Sequence, residues 1–260
     1  MFKQHMHSTD QYSPGLSIDI NCDMGEGMHN DALLMPYISS ANIACGYHAG
    51  DVDTIRRTIE LALENNVAIG AHPSYHDREN FGRLTQTISL VELAELISDQ
   101  LFLFEKITHQ MGCKIHHVKL HGALYNDCAK DALSSKIVAQ TIQAIDPSMM
   151  LYGLSGSHSI KEAKAIGLQT VQEVFADRTY QSDGQLTPRY LDHALITDPN
   201  ESAQQVLSML LDQEIKTHDG TMIAVNAETI CIHGDHPGAV EIAKHLFNTL
   251  QQYQIEIKQP

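Results

Sequence analysis

The chain has 260 residues with 17 lysines and arginines against 32 aspartates and glutamates, a formal charge of −15 with histidines neutral. So few positive charges argue against nucleic-acid or anionic-membrane binding, which need clustered cations. The length allows one α/β barrel with a sizeable core, and no apolar run approaches the ~18 residues of a membrane span.

Residues 1–16 (MFKQHMHSTDQYSPGL) lack the apolar core and small-residue cleavage site of a secretory signal, and read as a flexible N-terminal tail. Five cysteines, Cys22, Cys45, Cys113, Cys128 and Cys231, are odd in number and form no C-x-x-C pair, so a reduced, cytoplasmic protein is expected. From Ser17 onward, seven short apolar runs each stop at a cluster of polar residues. They are SIDINCDMGEG, SSANIACGYHAGD, VAIGAHPSY, HHVKLHGALYND, MLYGLSGSH, TVQEVFADR and TICIHGDHPG. Runs this short and rich in β-branched residues predict buried strands.

Between them the spacing predicts helices over 53–65, 89–112, 131–145, 159–165, 200–211 and 238–253, with at most two turns over 31–37. Asp51 and Asp53 suit the cap of the first of these helices, and Ser89 with Glu92 has capping-box spacing for the second. Asp219-Gly220 marks a small hairpin within 215–228, and the helix-poor stretch 178–199 either covers the barrel mouth or extends the surface. Strand and helix alternating over this length predict a parallel α/β fold. Seven strand ends favour an irregular, TIM-like (β/α)7 barrel, with 17–260 as a single domain. Loops after parallel strands share one face, where active sites form.

The strand-end clusters supply the chemistry. CDMGEG offers Asp23 and Glu26, one suited to a metal and the other to moving protons. With His48 and His72 from the next two strand ends, Asp23 forms a candidate divalent-metal triad; buried imidazoles bonded to backbone are the alternative. Lys119 and His121 share a strand face. A lysine inside a barrel needs an anion, either from substrate or from a barrel acid. Glu173, Asp177 and Arg178 end the sixth run, and His233, Asp235 and His236 end the seventh. Arg178 suits a carboxylate or phosphate. No phosphate loop, dinucleotide fingerprint or nucleophile elbow is present in the sequence.

Together these strings, DINCDMGEG, PYISSANIACGYHAGD, VAIGAHP, FGR, HVKLHGALYN, EVFADRTY and ICIHGD, resemble the LamB/YcsF family over Asp19 to Asp235. Leu120, Ser74, His76 and Leu84 depart from the family's usual residues beside the expected pocket. The resemblance implies a (β/α)7 barrel related to glycoside hydrolases and metal-dependent deacetylases. It implies the A subunit of an ATP-dependent 5-oxoprolinase, which opens the lactam of 5-oxo-L-proline to L-glutamate with B and C subunits. ATP is then a co-substrate, used with those partners, and a divalent metal is a further expectation. On that reading Asp23, Glu26 and His121 move protons, and Lys119, Arg178, His233 and Asp235 bind substrate, with Asp23, His48 and His72 as the metal set. Two other readings stay open: a stand-alone metal-dependent deacetylase or amidohydrolase acting on an N-acyl sugar, and a non-catalytic lactam-binding subunit.

Overall fold

The computed structural model describes residues 15–235 and 238–260. All but the last two residues of the expected tail, and His236, therefore lie outside the described residues. The chain begins with β1 (Ser17–Met24), a single turn α1 (Asp31–Leu34) and β2 (Ser40–Ala44). It continues through α2 (Val52–Glu64), β3 (Ala68–His72), α3 (Leu90–Gln110) and β4 (His117–Lys119). Next come α4 (Gly122–Lys130), α5 (Ala132–Ile145), β5 (Met150–Leu154), α6 (His158–Ala165) and β6 (Thr170–Phe175). The last part holds α7 (Pro199–Leu207), β7 (Glu214–Lys216), β8 (Met222–Ala224), β9 (Thr229–His233), α8 (Ala239–Gln252) and β10 (Glu256–Ile257).

Strands β1 to β6 pair in sequence order, all parallel, and β9 closes the ring between β6 and β1. These are the seven runs expected from the sequence, and β10 adds a short parallel rung to the start of β1. The β7–β8 hairpin turns through Thr217, Asp219 and Gly220, as the Asp-Gly pair predicts. Side chains alternate across each strand. In β1, Ile18, Ile20, Cys22 and Met24 belong to the apolar core, with Ile55, Ile59 and Ala62 of α2 and Ile97, Leu101 and Phe104 of α3. Asp51 caps α2 by accepting from the Thr54 amide at 2.8 Å, and the Ser89–Glu92 capping box opens α3.

The other face of these strands points into the barrel and is polar. Asp19 accepts from Ser39, Ser40 and Thr229 at 2.6–2.8 Å. Above it Asn21 donates to Thr229 (2.7 Å), Asn42 donates to both Asn21 (2.7 Å) and Asp23 (2.9 Å), and His117 bonds Asn42 (2.8 Å) while stacking on Tyr152. Gly70 makes room for that ring, since a Cβ there would lie 2.1 Å from His117 Nε2. Branched apolar layers fill the usual barrel interior; here hydrogen bonds do that work, and every member named except half-buried Ser39 is buried.

Candidate active site

The polar column ends at the C-terminal rim, where Asp23 sits near the end of β1 and His72, Lys119 and His233 are the last residues of their strands. Lys119 Nζ is wholly inside. It donates to Asp23 Oδ1 (2.8 Å), Asn21 Oδ1 (3.2 Å) and Cys231 Sγ (2.9 Å), and lies 2.9 Å from Glu173 Oε1. Burial alone would discharge this lysine, but Asp23, then the Cys231 sulfur and Glu173 hold its ammonium well above the ordinary lysine range. Burial likewise opposes ionising Asp23, yet His72 and Lys119 together hold its carboxyl well below the usual carboxylate range. The anion that Lys119 requires is thus supplied by barrel acids.

Beside Asp23 stand three imidazoles and Glu26. Among the described residues, Glu26, His48, His72 and His121 each place a potential ligand atom within 4.8 Å of the others, whereas Asp23 groups in the same way with Cys231 and His233. The structure therefore joins His48 and His72 to Glu26 and His121, a different set from the triad expected with Asp23. Asp23 Oδ2 nevertheless lies only 3.4 Å from His72 Nε2. Burial, and then the neighbouring Asp23, push the Glu26 carboxyl well above its ordinary range. Burial and His72 push His48 down to about 2, and burial with His48 and His72 drives His121 well below the ordinary imidazole value.

The loop after β3 holds this cluster in place. Phe81 and Gly82 adopt left-handed backbone conformations (φ 56° and 63°), and the Phe81 carbonyl accepts from His121 Nε2 at 2.9 Å. A Cβ on Gly82 would meet His121 at 2.9 Å and His48 at 3.0 Å. A non-glycine residue held at positive φ beside such a cluster is the kind of strain that functional sites store.

A cavity of about 430 Å³ opens above Asp23, Lys119 and His121, walled by Phe175, Arg178 and His233 and by 186–190 of the long segment after β6. That segment covers one side of the mouth. Arg178 is buried, yet its guanidinium donates only to the carbonyls of Ala194 (3.3 Å) and Thr187, and it forms no ion pair within 4 Å among the described residues. Burial, then the nearby Arg189, lower it to about 10. The adjacent Asp177 turns the other way. It accepts from the His233 amide (2.9 Å) and from His233 Nδ1 (2.9 Å), which leaves the other ring nitrogen for the cavity that His233 lines. Burial opposes the charge on Asp177, but His233 outweighs it and holds the carboxyl at about 2. Asp235, expected to bind substrate, is paired with Arg83 and lies 3.9 Å from Arg189 at the rim. Glu26 faces the imidazoles and does not line the cavity.

A family model described as LamB/YcsF matches residues 18–260. The chain belongs to the LamB/YcsF family. Its relatives include the 5-oxoprolinase A subunit of Bordetella parapertussis, 46% identical over 247 residues (93% of this chain and 98% of the relative). The protein of the same name from Shouchella clausii is 47% identical over the same shares. The crystal structure of a lactam utilization protein from Thermus thermophilus superposes with a TM-score of 0.87 at 36% identity, covering 94% of this chain and 99% of that one. A family 4 carbohydrate esterase from Streptomyces lividans, with a TM-score of 0.50 at 9% identity and coverage of 94% and 93%, shares the fold alone.

Asn21, Asn42 and His117 support Asp23 from below without having been singled out in the sequence. Their signal was the period of two, polar at every second residue, in DINCD (residues 19–23), SAN (40–42) and HVK (117–119).

Proposed function

We propose that this chain is the A subunit of an ATP-dependent 5-oxoprolinase and that the cavity above Asp23 holds the lactam. The observation that carries the reading is Arg178, a buried guanidinium with no carboxylate of its own among the described residues, set in a cavity floored by Asp23. A substrate carboxylate satisfies that cation by a charge-assisted, two-pronged contact. Relatives at 46–47% identity bear the name of the 5-oxoprolinase A subunit, which supports the choice of lactam.

Ring opening requires water to add at the carbonyl carbon, the C–N bond to break, and the ring nitrogen to gain a proton. His233 is oriented for proton transfer because Asp177 fixes its Nδ1–H, the arrangement that aims an imidazole in acyl-transfer sites. Asp23, which groups with His233 within 4.8 Å, is kept ionised and balances the imidazolium that forms. ATP supplies the driving force by phosphorylating the amide oxygen; water addition and C–N cleavage then leave the γ-acyl phosphate of glutamate, and a second water hydrolyses it to glutamate and phosphate. The B and C partners serve that step, in a cytoplasmic complex suited to five unpaired cysteines.

The test is glutamate formation from 5-oxoproline and ATP by the purified chain with its cognate B and C subunits. Turnover that is lost when the chain is omitted is the expected result; no glutamate from the folded chain and its partners overturns the reading.

A further inference from the structure

The three histidines behind the cavity can be read nitrogen by nitrogen. His72 Nδ1 lies 2.7 Å from the Lys119 carbonyl, and His121 Nε2 lies 2.9 Å from the Phe81 carbonyl. A carbonyl oxygen only accepts, so both of these ring nitrogens carry hydrogen. In neutral rings the remaining nitrogens, His72 Nε2 and His121 Nδ1, are then bare lone pairs. They face each other at 2.9 Å. Glu26 Oε1 lies 3.3 Å from the second and 4.0 Å from the first, so a third electron-rich atom crowds the same point. Such an arrangement is repulsive unless a metal ion or a shared proton sits within it.

We propose that Glu26, His72 and His121 bind one divalent transition-metal ion, with His48 holding Glu26 in position. Two imidazole nitrogens and one carboxylate oxygen suit zinc or a neighbouring divalent metal, and three protein ligands leave coordination positions open. Ligand atoms about 2.0–2.2 Å from an ion lie roughly 3.0–3.6 Å from one another, close to the spacings present here.

Both imidazole ligands already have their outer N–H groups anchored to backbone, the support that fixes ring orientation at metal sites. His48 stacks flat on His121, with 3.8 Å between centroids and a 6° interplanar angle, so its own nitrogen cannot converge on the same point. Instead His48 Nε2 meets Glu26 Oε1 at 3.0 Å. The Ser74 hydroxyl lies 2.9 Å from the Tyr75 carbonyl and 2.8 Å from His48 Nδ1, and its one hydrogen serves either; when it turns to Nδ1, His48 Nε2–H donates to the carboxylate.

Cobalt(II) titration of the chelator-treated, folded chain tests this without any turnover. The expected result is one ion per chain by elemental analysis, with a visible d–d absorption band of nitrogen ligation that zinc displaces. His121→Gln weakens uptake at least ~100-fold, and His72→Gln does the same. Should both variants unfold, the stoichiometry and spectrum of the wild-type chain decide alone. A folded wild-type chain that takes up neither cobalt nor zinc at ~1 mM assigns the gap to a shared proton and overturns the proposal. Uptake unchanged in both folded variants overturns it equally. Since the readout is metal and not glutamate, its failure is distinct from failure of the lactam reading.

Discussion

Lys119→Met removes the cation on which the barrel's upper half depends. The substitution keeps an apolar stem but leaves Asp23 and Glu173 without their ammonium, both carboxylates being buried. Breaking a buried pair by removing one partner costs about 3–5 kcal/mol. Two acids lose their partner here, while Asp23 keeps Asn42 at 2.9 Å, so the upper end applies, about 5 kcal/mol. For a domain of this size that corresponds to a fall of roughly 10–20 °C in Tm.

Acid should narrow the deficit. Asp23, held low in the wild type, contributes stability that is present above the ordinary carboxylate range and lost as pH falls through its depressed value. In the variant, burial without the cation raises Asp23, so it takes up a proton more readily as pH drops and the penalty shrinks. Urea unfolding followed by circular dichroism at pH 7.5 and pH 5 measures both effects. Adding Asp23→Asn and Glu173→Gln to the variant should restore most of the loss. A single variant within ~1 kcal/mol of wild type at pH 7.5 would refute the reasoning, because the lysine would then not be balancing buried charge.

Arg178→Ala should raise KM for the lactam by about 30-fold or more, since truncating one partner of a buried charge pair costs roughly 2–5 kcal/mol; steady-state kinetics of the assembled enzyme check it. Asp177→Asn should lower kcat about 10²–10⁴-fold with little change in KM by releasing His233, read from the same assay. The same variant should flatten acid unfolding: Asp177 held at about 2 against 3.8 for a free aspartate contributes roughly 2 kcal/mol. That contribution is present above pH ~4 and lost between ~4 and ~2, as a pH series of urea melts would show. Gly70→Ala places a methyl 2.1 Å from His117 Nε2; displacing that ring should cost about 1–3 kcal/mol by thermal unfolding.

The barrel was legible because each strand is a short apolar run ending in polar residues, and each long helix shows one apolar stripe. Helix α4 was not, since its residues Gly122–Lys130 follow directly on a strand-end cluster and His121 gives no side-chain cap. A helix started by a left-handed glycine pressed against the Gly82 carbonyl is set by tertiary contact, which spacing does not encode. The site was legible as a set of residue types: Asp23, His48, His72, Lys119 and His121 do converge on one rim. Their pairings were not. Adjacent residues Asp177 and Arg178 serve different partners, one bonding His233 and the other facing the cavity, and nothing local distinguishes them. Glu173 and Lys119 meet only because β6 and β4 close into a cylinder.

Polar filling of the barrel explains how so many charges persist at its rim. Asp23 and Lys119 need fixed dipoles beneath them, and Asn42 and Asn21 supply these at 2.9 and 3.2 Å. The asparagines are fixed in turn by Thr229 and His117, and Thr229 by Asp19 at the far end. An apolar layer at the level of Asn21 would leave the ion pair facing hydrocarbon on one side, where burial penalises both charges. The column therefore preorganises the pocket floor before any substrate arrives. With Lys119 and its acids locked, Arg178 is, among the described residues, the buried cation whose charge an incoming anion can answer.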